Sequence, residues 1–136
     1  MQAQVPVEPG VRFYLLFSAI LVFFVALSYG VAPAFVLPLL LDLRVEGTDL
    51  THIFRAMMGL YLALISLWIA GATLPRLTLP AVIAETCFMG GLARGRLFSV
   101  FADGLPNPIL TAGLLLELLF AVWGGWLWFG MRRSPS

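Results

Sequence analysis

The chain has 136 residues, of which 61% are hydrophobic and only 11% charged, with a net charge of +1 and a mean hydropathy of +0.99. A soluble domain carries about 25% charged residues, so this chain lacks the polar surface to cover a water-soluble globule. The near-zero charge, with no basic run, argues against a nucleic-acid partner, and the single Cys87 allows no internal disulfide.

Residues 1–10 contain Pro6, Pro9 and Gly10 and read as a short irregular tail. Arg12 then opens an uncharged run over 13–41, whose first part is long enough for one span of about 20 residues. A basic residue, an apolar run and the trio Ala32-Pro33-Ala34 also fit a signal peptide. The apolar run is long for that role and 35–41 stays apolar after the cleavage point, so an uncleaved first span over about 12–30 is expected. Gly30, Pro33 and Pro38 break the chain after it. The segment 35–41 is too short to cross and is expected at the interface or against the bundle end. Asp42, Arg44, Glu46 and Asp49 form a wet loop around Gly47, and Thr48 or Asp49 suits the N-cap of a second span over about 50–72. Pro75 and Arg76 end that helix, and Leu77 or Thr78 starts a third over about 79–102, with Pro80 in its first turn. The breakers 104–108 make a turn, and a fourth span over about 108–131 ends before Arg132 and Arg133.

These elements predict an all-α fold: one integral membrane domain over 1–136, built as a four-helix transmembrane bundle. Four spans put both termini on one side. Arg12, Arg76, Arg132 and Arg133 flank that side and only Arg44 lies in a loop opposite. The positive-inside rule then places both termini in the cytoplasm, as for a multi-pass protein of the inner membrane.

The stretch 85–103 organises the rest. On a helix, Glu85, Met89, Leu92, Arg96, Ser99 and Asp103 recur at spacings of four and three and share a face. Gly91 and Gly95 form a GxxxG pair beside it, which predicts close approach of another helix. Counting about 1.5 Å per residue from the outer ends of the spans puts Arg55 and Arg96 each about 9 Å deep and Glu117 about 13 Å deep. His52 lies a turn above Arg55, and Asp103 marks the rim. The five residues His52, Arg55, Arg96, Asp103 and Glu117 are therefore the candidate polar cluster, with Gly59, Gly91 and Gly95 as helix-packing positions. A charge at the centre of a span costs about 2.5–3.5 kcal/mol, so Arg96 and Glu117 are expected to face inward and pair. Glu85 is set apart, near the inner end of its helix, within reach of Arg76 or water. Arg94 is expected to snorkel outward.

The cluster reads either as a satisfied polar core or as the lining of a cavity for a polar head group. Lone features take simpler readings. Cys87 reads as a small core residue. His52 reads as an interfacial histidine, and with no second histidine a metal site is not supported. Trp123, Trp126, Trp128 and Phe129 read as an interfacial belt. No nucleophile motif, P-loop or dinucleotide fingerprint appears, and no cofactor is implied.

The stretches GTDLTHIFRAMMGLY (47–61) and FMGGLARGRLFSVFADGLPNPILTAGLLLELL (88–119) resemble a small family of bacterial membrane proteins known only as a domain of unknown function. The resemblance covers nearly the whole chain and implies a four-helix integral protein of the inner membrane. Arg55, Gly59, Gly95, Arg96, Asp103, Gly104, Pro106 and Glu117 match the family's polar pattern. The build is also weakly similar to DoxX-like membrane proteins, an analogy of fold alone. The leading expectation is a non-enzymatic protein that binds a lipid-like or quinone-like molecule or serves as an accessory membrane subunit. A small proton-linked carrier using Arg55, Arg96 and Glu117, as a homo-oligomer, is the first alternative. An intramembrane enzyme with Glu117 or Asp103 as acid or base is the second.

Overall fold

A computed structural model describes residues 6–133, and these form five α-helices in the order α1 (Pro9–Gly30), α2 (Pro33–Leu41), α3 (Thr48–Thr73), α4 (Pro75–Asp103) and α5 (Pro108–Arg133). Among the described residues, α1, α3 and α5 are each long and apolar enough to cross a membrane. Helix α4 has 29 residues and is roughly 43 Å long at 1.5 Å per residue, but its charged side chains keep its hydropathy lower.

The segment 35–41 is not an irregular break. It belongs to α2, which proline starts at Pro33 and which Pro38 interrupts without ending. Proline at the first position gives up a donor that has no helical partner anyway. Asp42 closes α2 in the left-handed conformation, with Asp42 N–H donating to Pro38 O at 3.1 Å and Leu43 N–H to Leu37 O at 3.4 Å. Helix α3 is capped by Gly47, not by Thr48 or Asp49. Gly47 has φ +83°, which a residue with a Cβ rarely adopts. The α3–α4 corner also differs from the expectation. Pro75 opens α4 rather than ending α3, and Leu74 alone separates the two helices. Thr78 Oγ1 staples this corner by donating to Gly71 O at 2.8 Å.

Packing runs α1 on α3, α3 on α4 and α4 on α5, while α1 meets α5 over a short stretch only. That stretch is aromatic. Tyr14 lies 6.0 Å from Phe120 and 5.1 Å from Trp123 between ring centroids, and Phe17 stacks on Phe120 at 5.8 Å. Tyr14 Oη donates to Phe120 O at 3.1 Å. Trp123 therefore packs against α1, while Trp126 is exposed and Arg132 sits 5.6 Å over the Trp128 ring. Towards the C-terminal end of α1 the seam between α1 and α5 is open, and α2 lies across it.

The close approaches occur at glycines other than those expected. A Cβ at Gly30 would meet Met58, one at Gly71 would meet Ala81, and one at Gly124 would meet Tyr14 and Thr86. At Gly59, Gly91 and Gly95 nothing lies within 4 Å of that position, and all three are exposed. The GxxxG pair turns away from the chain's own helices because Ala81, Val82, Glu85, Met89 and Ala93 form the buried side of α4. Cys87 shares the outward side and is exposed rather than in the core.

Candidate functional site

The inward side of α3 is set by Tyr61, Ile65 and Trp68. Arg55 lies six residues before Tyr61, about 120° around a 3.6-residue helix, so Arg55 and His52 both end up exposed. On α4 the polar side runs from Glu85 and Met89, fully buried, through Leu92 and Arg96, half-buried, to Ser99 and Asp103, exposed. Asp103 takes a 2.9 Å hydrogen bond from Ser99 one turn back and stands apart from the cluster.

Of the five expected residues, the fold brings two together. Arg96 Nε donates to Glu117 Oε1 at 2.8 Å, joining α4 to α5. The Glu117 side chain is 10% exposed and the Arg96 side chain 27%. A charge-assisted bond of this length is among the stronger hydrogen bonds in proteins. The bond uses one nitrogen of the guanidinium fork, and although Tyr29 also lies beside the guanidinium, N–H donors remain for other acceptors. Glu117 Oε2 is buried and has no partner among the described residues.

Both members of the pair line a cavity of about 480 Å³ in the open seam, within the roughly 300–1,000 Å³ range of small-molecule sites. Its floor is made by buried Val22, Tyr61, Met89 and Phe120, and buried Leu37 of α2 faces it from above. Its rim is made by exposed Phe24 and Val25 of α1, Leu40 of α2, and Ile109, Ala112 and Leu116 of α5. The mouth thus opens sideways between α1 and α5 through an apolar rim, and α2 roofs it. Ser28 and Tyr29 add hydroxyls to the α1 wall, though Ser28 already bonds Val25 O at 2.7 Å. Gly113 lines the cavity with nothing within 4 Å of a Cβ position, so its side faces open space.

Glu85 has a different setting from the expected one. It is 0% exposed, far from water and unpaired with Arg76, and Ser18 Oγ of α1 donates to its Oε1 at 2.9 Å. Its Oε2 has no partner among the described residues. Sequence spacing could have pointed to Ser18, since Tyr14, Ser18 and Val22 recur every four residues on the buried side of α1. A shallower hollow lies on the outer side between α4 and α5, lined by Cys87, Gly90, Arg94 and Val122 among others. Among the described residues no three His, Cys, Asp or Glu side chains gather as metal ligands would.

No curated protein matches the chain, and no solved structure matches it. The model of one family, Domain of unknown function (DUF4345), matches residues 10–128. That span holds all five helices except the first residue of α1 and the last residues of α5, together with the Arg96–Glu117 pair, and the chain belongs to this family.

Proposed function

We propose that the chain is a four-span protein of the bacterial inner membrane, with both termini in the cytoplasm, that binds one lipid-like or quinone-like molecule between α1 and α5. The observation that carries this reading is the pairing of an apolar, sideways-open cavity with a single ion pair in its wall. A tail would lie on Val22, Leu37 and Phe120, and a compact polar head would reach Arg96 and Glu117. Access from the side suits a molecule dissolved in the bilayer, because neither the ligand nor the rim has to be hydrated on the way in. The fourth span is α4, whose charges are partly answered within the bundle: Arg96 by Glu117, and Glu85 by Ser18. The arginines at positions 12, 76, 132 and 133 support the orientation.

The test is native mass spectrometry of the detergent-purified protein with added monoolein or decylubiquinone. One molecule of either should stay bound per chain, and Gly113→Phe should abolish the adduct by filling the cavity. Adducts that are unsaturable, or unchanged in Gly113→Phe, would refute the cavity as their site.

A further inference from the structure

The two members of the pair are not equally satisfied. Glu117 Oε1 holds Arg96 Nε at 2.8 Å, while Glu117 Oε2 is buried and has no donor among the described residues. A carboxylate is an acceptor only, and a buried acceptor that has lost water is costly until a donor reaches it. The terminal nitrogens of Arg96 are donors that a ligand acceptor can use. The other polar groups of the wall are the hydroxyls of Ser28, Tyr29 and Tyr61, and among the described residues none of them donates a hydrogen bond to Glu117. From this asymmetry we infer that the ligand's polar head is a hydrogen-bond donor as well as an acceptor, its O–H or N–H donating to Glu117 Oε2 while its own oxygen accepts from Arg96. This rests on the cavity reading above and narrows it. Alcohols, monoacylglycerols and quinols have such a head. Quinones, ethers and phosphodiesters accept only, and would leave Oε2 unanswered. A net-neutral pair also gives no preference for an anionic head, whose charge would meet the bare Oε2.

The experiment compares hexadecanol with hexadecyl methyl ether, which share a tail and an acceptor oxygen and differ in one donor. Native mass spectrometry titrations of the purified protein should show hexadecanol bound at least tenfold more tightly. In Glu117→Gln, where the side chain brings its own N–H donors, the advantage should fall below threefold. In Arg96→Lys, which keeps a cation beside Glu117, it should persist. Equal binding of alcohol and ether, with both lost in Gly113→Phe, would overturn the donor requirement and leave the cavity reading standing. Binding of both probes that Gly113→Phe does not affect, or no binding of either, would overturn the cavity reading and this inference with it. If the Gln variant fails to fold, a preference of the unmodified protein for decylubiquinol over decylubiquinone under anaerobic reduction decides the same point. Equal binding of those two would refute it.

Discussion

Removing either side of the Arg96–Glu117 pair should cost stability, and removing both should return part of it. Breaking a fully buried pair from one side costs about 3–5 kcal/mol, because a charge is left without a partner. An exposed pair is worth about 0–1 kcal/mol. Here the two ends differ: the Glu117 side chain is 10% exposed and that of Arg96 is 27% exposed. The carboxylate is the more deeply buried charge, so stranding it should hurt more. Arg96→Met is expected to cost about 2–4 kcal/mol, near the buried limit. Glu117→Leu strands the longer, more exposed guanidinium, which can turn into the cavity, and should cost about 1–2 kcal/mol. The double variant removes both charges, and the coupling should amount to at least about 1 kcal/mol. Reversible unfolding in mixed micelles, monitored through tryptophan fluorescence, measures all three variants against the parent. Purely additive losses would refute the pair as an energetic unit. A larger loss for Glu117→Leu than for Arg96→Met would refute the burial argument that ranks them.

Three further outcomes follow from the packing. Gly124→Ala places a methyl against Tyr14 and Thr86 and should lower stability by about 1–3 kcal/mol, the usual range for overpacking. Gly95→Ala meets open space and should be neutral or stabilising by up to about 1 kcal/mol, and the reverse order in thermal melts would show that the α4 side has been misassigned. Ser18→Ala removes the hydrogen bond that Glu85 accepts inside the bundle and should cost about 1–3 kcal/mol. Ser18→Ala/Glu85→Leu should recover some of that loss, and no recovery in the same unfolding assay would count against the contact. In a Cys87→Ser background, cysteines placed at Gly47 and Leu105 should react with an impermeant maleimide added outside intact cells, and those at Glu8 and Arg133 should not. The opposite pattern would invert the proposed orientation.

The helices were legible in the sequence because length and hydropathy define them, and proline and glycine mark their ends. Two ends were misread for one reason: proline stops one helix and starts another equally well. Pro75 begins α4, and Pro33 and Pro38 belong to a helix rather than to a break. In the site, counting along the helices brought Arg96 level with Glu117, but azimuth could not be read that way. His52, Arg55, Arg96, Asp103 and Glu117 lie in the same half of the chain's helices, but only Arg96 and Glu117 turn towards each other. The missing coordinate comes from the large inward residues, since Tyr61, Ile65 and Trp68 fix the rotation of α3 and carry Arg55 outward. The glycines failed similarly. A small residue permits close approach, but only neighbours decide where it happens, as with Tyr14 at Gly124 and Met58 at Gly30. Glu85 was read from its distance to the membrane surface, whereas its partner is a serine on a helix 67 residues earlier.

The aromatic fastening at one end of the α1–α5 seam makes the bundle a clip, closed at that end and open at the other. Tyr14, Phe17, Phe120 and Trp123 hold the two helices together there, while towards the C-terminal end of α1 the seam is the mouth of the cavity. The interfaces of α1 with α3, α3 with α4 and α4 with α5 tie the other sides together, helped by the Ser18–Glu85 and Thr78–Gly71 bonds. Widening the mouth would have to strain those contacts across the bundle as well as the aromatic knot. On the proposed function, a thicker tail would therefore be met at the rim, by rotamers of Phe24, Leu40 and Leu116, rather than by separation of the helices.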